Sequence, residues 1–152
     1  MPVLTVSKRI EAPVQQVFDA FTDLHTIARH ISAIEKLEIL TDGPVGVGTR
    51  FRETRIMFGK EASEEMEFIA FEQGKSYTLQ CDSCGCRITT QHDFTPLDGG
   101  TLVTLKVRVQ ALTLLAKLSM PLTWLMLGSM RRCIEKDLDE MASVVERLSK
   151  TL

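Results

Sequence analysis

Residues 121–148 read PLTWLMLGSMRRCIEKDLDEMASVVERL and carry an apolar stripe at helical spacing. Seven apolar residues follow one another at steps of three or four: Leu127, Met130, Ile134, Leu138, Met141, Val145 and Leu148. This spacing places all seven on one face of a helix. The opposite face is charged, and we expect it to face solvent; it comprises Arg131, Arg132, Glu135, Lys136, Asp139, Glu140 and Arg147. Such a helix is roughly 42 Å long, so only a sheet is long enough to lie beside it.

The composition is that of an ordinary globular protein. The chain has 152 residues, of which 44% are hydrophobic and 25% are charged, so we predict a single domain over residues 1–152 that buries a substantial core. A formal net charge of −2, without any basic block, argues against nucleic-acid binding. The N-terminal MPVLTVSKRIEAP lacks the apolar run of a signal peptide, so we predict a cytoplasmic protein.

Ahead of the long helix, the pattern predicts one strand, two short helices and six further strands. The first strand covers residues 3–10, and the helices cover 13–22 and 24–31, the second with Asp23 as its N-cap. The six strands are expected at 34–41, 49–58, 61–72, 75–82, 86–96 and 101–110, although 34–41 taken alone also suits a helix. Short connections favour an antiparallel meander, with the first strand paired to the last. We therefore predict an α+β fold in which a curved antiparallel sheet of six to seven strands wraps around the long C-terminal helix.

Residues 109–128, VQALTLLAKLSMPLTWLMLG, form an apolar segment of nearly the length of a membrane span. A lysine, a glutamine, a proline and three hydroxyl residues interrupt it, so a buried or partly exposed helix is favoured over a span. Pro121 predicts a break near Ser119 and Met120. Shallow contact of this segment with a membrane surface or a partner stays open as an alternative.

Four strings of residues occur in a recognisable order: EAPVQQVFDAFTD at 11–23, GVGTRFRE at 46–53, FTPLDGGTLVTLKV at 94–107 and RRCIEKDLDEMASVVERL at 131–148. Together with the first strand they resemble the START-like (SRPBCC, birch-pollen-allergen-like) superfamily with its helix-grip fold, and more narrowly its polyketide cyclase/dehydrase branch. The resemblance implies a deep apolar cavity between the sheet and the long helix. It also implies binding of, or action on, lipids, sterols, polyketides, quinones or other hydrophobic molecules. It carries over no catalytic residue, because the family has no universal catalytic motif.

The leading hypothesis is therefore the binding of a small hydrophobic molecule, without a cofactor. Burial of apolar ligand surface at roughly 25 cal/mol per Å² can supply the affinity with few polar contacts. The segment 111–122 is expected to act as the gate of the cavity. Tyr77 and Trp124 each combine an apolar body with a polar tip, which suits a cavity rim. We predict that the lining comprises Phe51, Met66, Phe68, Tyr77, His92, Trp124, Met130 and Ile134.

His92 is the candidate acid–base residue. Strand alternation along ITTQHDF places His92 on one face with Thr90 and Phe94, which we expect to point inward. In an enzymatic alternative, the protein is a polyketide cyclase or dehydratase in which His92 shuttles a proton with help from Tyr77 or Thr90. A structural histidine that is satisfied by its neighbours is the simpler interpretation. A third hypothesis is a membrane- or partner-associated module that uses the segment 109–128, and a homodimer also stays open.

Two polar clusters are interpreted as structural. Cys81, Cys84 and Cys86 lie at a predicted hairpin turn, where three thiolates can ligate zinc but no fourth ligand is near. We therefore predict no metal, and free thiols in preference to a disulfide between the first and last of them. The second cluster is an acidic run that we place on the solvated outer face of the sheet, namely Glu61, Glu64, Glu65 and Glu67. Arginines of the preceding strand are expected to pair with this run, namely Arg50, Arg52 and Arg55.

Overall fold

The computed structural model describes residues 3–57, 59–83 and 85–150, without the side chains of Met57, Met120, Leu122, Thr123, Trp124 and Met126. In chain order, the elements are β1 (Val3–Ile10), α1 (Val14–Thr22), α2 (Ile27–His30), β2 (Ile34–Ile39), β3 (Arg50–Met57), β4 (Lys60–Glu72), β5 (Ser76–Ser83), β6 (Cys86–Leu97), β7 (Gly100–Ala111), α3 (Leu114–Leu118) and α4 (Met120–Lys150). The predicted order of strand, two short helices, six strands and long helix is confirmed.

The strands form one antiparallel sheet in the order β1-β7-β6-β5-β4-β3-β2. From β2 to β7 each strand pairs with its neighbour in sequence, and β1 pairs with β7 as predicted. The turn between β6 and β7 shows why a meander forms here. Asp98 and Gly99 have φ angles of 50° and 83°, which suit the tight hairpin turns that match the right-handed strand twist. Local turn chemistry therefore sets the register of the long β6–β7 hairpin.

The long helix α4 packs its apolar stripe on the sheet along only part of its length. The side chains of Leu138, Met141 and Val145 are buried, whereas those of Met130 and Ile134, nearer the start, are only partly buried. Helix α1 closes the other side of the core with Val17, Phe18 and Phe21. The predicted stripe ends earlier than expected, because Leu148 is exposed. The tightly packed core therefore lies under the C-terminal half of α4.

The second short helix is shorter than predicted. Helix α2 spans Ile27–His30 and has Thr26 as its N-cap, so the prediction of a helix over 24–31 capped by Asp23 is wrong. Asp23 instead stabilises the preceding turn, where its Oδ1 accepts a hydrogen bond from the backbone N–H of His25 at 3.2 Å. Residues 24–26 form that turn, and Leu24 is buried in it. The aspartate therefore organises the entry to the helix and does not begin it.

The apolar segment 109–128 is divided among β7, α3 and α4, with the predicted break between α3 and α4. Of the two alternatives, α3 is the partly exposed one, and its Leu114, Leu115 and Leu118 are 72–75% exposed. A helix of five residues has room to turn only one side chain inward, and here that residue is Ala116. Within the described residues, no helix is both long and apolar enough to cross a membrane.

Matched leucine substitutions test this division between core and surface. Leu138 is 2% exposed and Leu115 is 75% exposed. Leu138→Ala should lower the free energy of unfolding by about 2–5 kcal/mol, because it leaves a cavity in the packed core. Leu115→Ala should change it by no more than about 0.5 kcal/mol. Urea unfolding followed by circular dichroism measures both, and equal losses in the two variants would contradict the placement of α3 on the surface.

Candidate ligand-binding site

Two adjoining cavities lie between the sheet and the helices α2 and α4. The smaller lobe has a volume of about 120 Å³, and the larger lobe has a volume of about 270 Å³. The smaller lobe reaches toward α1 and α2, with Phe21, Ile27 and Ile31 in its wall. The larger lobe lies over β4 to β7 and is walled on the other side by Met130 and Ile134 of α4. The two lobes share seven lining residues: Glu53, Arg55, Leu79, His92, Leu105, Ile134 and Asp137.

The register of the sheet brings lining residues of both lobes together. Tyr77 of β5, His92 of β6 and Leu105 of β7 are directly paired across three neighbouring strands. Paired residues in an antiparallel sheet project to the same face, so all three side chains point toward the helices. Phe51 and Met66 are paired in the same way on β3 and β4. Strand alternation and hairpin register together therefore form the floor of the cavity.

The structure places the predicted lining residues in the two lobes. Phe51, Phe68 and Tyr77 line the smaller lobe, and Met66 and Met130 line the larger one. His92 and Ile134 line both. The side chain of Trp124 lies outside the described residues. The assignment of these side chains to ligand binding stays a prediction.

Tyr77 does not lie at a cavity rim, so that expectation is wrong. Its ring is buried, with centroid distances of 5.3 Å to Phe68 and 5.7 Å to Phe94. Phe18 of α1 closes the cluster from the opposite side at 6.0 Å. Because α1 packs aromatic rings directly over the sheet at this point, the tyrosine is enclosed by the core. Burial raises the pKa of its phenol well above the ordinary value.

His92 is buried in the cavity floor as a neutral imidazole. Its ring stacks on that of Tyr77, with the centroids 4.3 Å apart and the planes 19° from parallel. Burial lowers the pKa of His92 to about 4, and the Thr90 backbone and the Asp93 carboxylate offset this effect only in part. Its Nδ1 atom is buried and has no hydrogen-bond partner among the residues that the structure describes. The sequence-based expectation that this histidine faces inward is confirmed by its position.

A charged cluster that the sequence analysis did not identify lies where the two lobes meet. The guanidinium of Arg55 donates from Nε to Glu53 Oε1 at 2.8 Å, and its Nη2 lies 2.7 Å from the same oxygen. Its Nη1 donates to Oδ2 of Asp137, on α4, at 3.0 Å. Burial opposes the charge on Arg55, but the two carboxylates outweigh it and raise the pKa of the guanidinium. For Asp137 burial is the larger effect, and it raises the carboxyl pKa although Arg55 lowers it.

The cluster had a signal in the sequence. Glu53 and Arg55 are two and four residues beyond Phe51 along one strand, so alternation puts all three on the inward face. Asp137 lies three residues after Ile134 and four before Met141, which is the spacing of the inner helical stripe. A charged residue at an inward-facing position of a strand or helix is therefore the pattern that would have revealed the cluster. The pairing of Arg55 with Asp137 was concealed because 82 positions of sequence separate the two residues.

The acidic run of β4 is divided between the two faces of the sheet. Glu61, Glu65 and Glu67 are exposed, as predicted, and Arg52 pairs with Glu65 at 2.7 Å. Glu64 is half-buried and lines the larger lobe, so its placement on the outer face is wrong. It shares the inward face with Met66, two residues along the strand, because alternate side chains point the same way. Arg55 was expected to pair with this run, and it pairs with Glu53 and Asp137 instead.

The described cysteines are free thiols. Cys81 and Cys86 are not opposite each other across the β5–β6 hairpin, because Cys81 pairs with Ile88 and Cys86 pairs with Ser83. Cys84 lies outside the described residues. Burial, followed by the nearby carboxylate of Glu64, raises the pKa of the Cys81 thiol to about 12, so it is a thiol and not a thiolate at neutral pH.

A long helix laid across a curved antiparallel sheet, with a cavity between them, is the helix-grip architecture of the START-like (SRPBCC) superfamily. Residues 1–146 match the family described as polyketide cyclase / dehydrase and lipid transport. The chain belongs to that family. A comparison with curated protein sequences found no match.

Solved structures of other proteins share the fold over nearly the whole chain. TTHA0849 from Thermus thermophilus superposes with a TM-score of 0.74 at 23% identity, covering 97% of this chain and 99% of that one. The Zhui aromatase/cyclase from Streptomyces sp. R1128 gives 0.76 at 15% identity, covering 96% and 94%. Major latex-like protein 151 from Panax ginseng gives 0.75 at 14% identity, covering 93% and 95%. At these identities the likeness is one of fold.

Neutralising the charged cluster tests its energetics. Arg55→Met should lower the free energy of unfolding by about 3–5 kcal/mol, because it leaves the carboxylates of Glu53 and Asp137 mostly buried without their cation. The triple variant Glu53→Gln, Arg55→Met, Asp137→Asn should recover most of that loss, since it removes all three charges. Urea unfolding at pH 7 measures both, and a triple variant as unstable as the single one would show that packing, not charge, dominates.

The buried histidine predicts a pH dependence of stability. The pKa of His92 is about 4 in the folded protein and near 6.5 in the unfolded chain, so the unfolded state binds the proton first as the pH falls. Stability should therefore decline between about pH 6.5 and pH 4, by about 3 kcal/mol from this group. His92→Leu should remove that part of the slope in urea unfolding across the range.

Comparing His92→Leu with the unmodified protein separates the effect of His92 from that of Asp137. The raised pKa of Asp137 makes its contribution to stability increase as the pH falls, opposite to that of His92. His25→Leu is the matched control, because His25 is exposed in the turn before α2. An unchanged slope in His92→Leu would contradict a neutral buried imidazole.

Proposed function

We propose that this protein binds a small hydrophobic molecule in the two-lobed cavity between the sheet and α4. The observation that carries the proposal is the cavity itself, whose walls are mostly apolar side chains with a few polar groups placed together. This combination is typical of small-molecule sites. The family description, polyketide cyclase / dehydrase and lipid transport, supports the same class of ligand.

The dimensions of the cavity favour a compact ligand. A dry apolar cavity of about 150 Å³ can accept a benzene molecule. The larger lobe, at about 270 Å³, is therefore suited to a body of one or two rings or a short acyl chain. Burying about 200 Å² of apolar ligand surface would contribute roughly 5 kcal/mol at 25 cal/mol per Å². That is enough for binding without covalent chemistry.

Acid–base catalysis on a carbonyl compound, as in a cyclase or dehydratase, is the second candidate. It is favoured by the presence of His92 and the protonatable Asp137 in the same cavity wall. With its pKa near 4, His92 is a weak proton acceptor, and it is better suited to orienting a substrate by a hydrogen bond. Burial raises the pKa of Asp137, which is the direction that favours a carboxyl group able to hold a proton. The Zhui protein, whose name describes an aromatase/cyclase, shares the fold that this candidate would use.

Contact with a membrane or a partner through 109–128 is kept as an accessory proposal. Its support is the set of leucines on α3 and early α4 that are 72–80% exposed: Leu114, Leu115, Leu118 and Leu125. Exposed apolar clusters of this kind mark interaction surfaces. The cytoplasmic location predicted from the sequence is likewise kept as a proposal.

Native mass spectrometry of the protein isolated from its own source tests the leading proposal. We expect a co-purifying hydrophobic molecule that dissociates on denaturation. Recovery of the molecule unchanged after incubation with the protein favours binding, and its conversion favours the enzyme.

A cavity-filling variant localises the bound molecule. Ala62 lines the larger lobe, whereas Ala70 is exposed on the same strand. Ala62→Phe should reduce the occupancy at least about tenfold by occupying the space, a loss of about 1.4 kcal/mol. Ala70→Phe is the matched control and should leave the occupancy unchanged. Equal occupancy in Ala62→Phe and the unmodified protein would overturn the assignment of the site.

A further inference from the structure

The charges that face the larger lobe do not balance. Three carboxylates line it, those of Glu53, Glu64 and Asp137, and they face one guanidinium, that of Arg55. Arg55 pairs with Glu53 and Asp137. Among the residues that the structure describes, no basic side chain forms an ion pair with Glu64. The lobe therefore has an excess of negative charge in a wall whose other residues are apolar or uncharged.

The two glutamates also stand directly opposite each other in the sheet. Glu53 of β3 is paired with Glu64 of β4, and both side chains face the cavity. Like charges at directly opposed positions destabilise an antiparallel pair unless a cation lies between or beside them. Arg55 donates to Glu53 and to Asp137. Of the two opposed glutamates, it therefore neutralises only Glu53. The position beside Glu64 is thus unfavourable for the empty protein and favourable for a positively charged ligand group.

Carboxylate oxygens are available to receive such a group. Both contacts of Arg55 with Glu53 go to Oε1, and its contact with Asp137 goes to Oδ2. Glu53 Oε2 and Asp137 Oδ1 accept no hydrogen bond from the described part of the chain. Glu64 Oε1 accepts from the Ser83 hydroxyl at 2.8 Å, and among the described residues its Oε2 accepts only a weak hydrogen bond from the Cys81 thiol, with Sγ at 3.9 Å. An ammonium group has three donors and no acceptor, which matches a set of open carboxylate oxygens.

His92 is an independent indication of a hydrogen-bonding ligand. The residue is 8% exposed, it lines the same lobe, and its Nδ1 has no partner among the described residues. A buried polar atom without a partner is costly, and a bound ligand is one of the ways to satisfy it. As a neutral imidazole, His92 can present this nitrogen as an acceptor to an N–H donor. The nearby Cys81 thiol, whose pKa is raised by burial and then by Glu64, reports the same negative environment.

We propose, building on the binding function above, that the ligand of the larger lobe is a compact hydrophobic amine whose protonated amino group lies among Glu53, Glu64 and Asp137. Its apolar body lies against Met66, Ile88 and Met130. The same charges disfavour a carboxylic acid of equal size, because its carboxylate would face three others and only one guanidinium that is already paired. The site therefore selects for the sign of the ligand's charge as well as for its apolar surface.

A series with one apolar body and three polar groups tests the selection. The probes are 2-(2-naphthyl)ethylamine, 2-(2-naphthyl)ethanol and 3-(2-naphthyl)propanoate, measured by isothermal titration calorimetry at pH 7 and low ionic strength. We expect the amine to bind at least about tenfold more tightly than the alcohol, and the alcohol more tightly than the acid. An acid that binds as tightly as the amine overturns the amine proposal and leaves the hydrophobic-binding function standing. Binding by none of the three overturns both.

Glu64→Gln locates the effect, because the amide is isosteric and has lost the charge. It should lower the affinity for the amine about tenfold and leave the affinity for the alcohol unchanged. The unchanged affinity for the alcohol would show that the cavity of the variant is intact. Glu61→Gln is the matched control, since Glu61 is exposed on the same strand. An unchanged amine affinity in Glu64→Gln overturns the role of this carboxylate. If the variant does not fold, the three-probe series on the unmodified protein still decides the proposal.

Discussion

The site depends on one constraint, which is that α4 packs tightly against the core only along its C-terminal half. The C-terminal half of the helix buries Leu138, Met141, Ala142 and Val145 almost completely. The N-terminal half is packed less closely, and its Met130 and Ile134 are partly buried and line the larger lobe. Because one continuous helix carries both sets of residues, the packed core and the cavity lie next to each other along it. The hydrophobic effect anchors the helix, and the cavity is the space that this anchoring leaves unfilled.

One ion pair spans that gap. Arg55 on β3 reaches Asp137 on α4, and Glu53 holds the guanidinium from the sheet side. Mostly buried charges of this kind contribute little net stability, since desolvation offsets most of their attraction. Their larger effect is to set the character of the cavity, which is apolar over most of its wall and charged where the two lobes meet. Polar groups in the wall of a cavity restrict which ligands it can accept, and this wall holds paired charges together with an Nδ1 of His92 that has no hydrogen-bond partner among the described residues.

The environment of His92 restricts the chemistry that the cavity can support. Burial lowers the pKa of His92 to about 4, so the imidazole that stacks on Tyr77 is neutral at physiological pH. A neutral imidazole with low basicity orients a ligand more readily than it removes a proton. The same loss of water raises the pKa of the Asp137 carboxyl group, because burial disfavours the charged form of an acid as well as that of a base. Burial therefore moves the pKa values of His92 and Asp137 toward each other.

Local periodicity was sufficient for the architecture and for much of the lining. Steps of three and four predicted α4, alternation predicted the strands, and the inward direction of Phe51, Met66 and His92 followed from the same alternation. Three features required the tertiary structure: the pairing of Arg55 with a residue 82 positions away, the open volume above Glu64, and the exposure of the α3 leucines. Periodicity encodes the direction of a side chain relative to its own helix or strand. It does not encode the distance to the element opposite, and that distance determines whether an inward-facing charge finds a partner and whether an apolar wall encloses a core or a cavity.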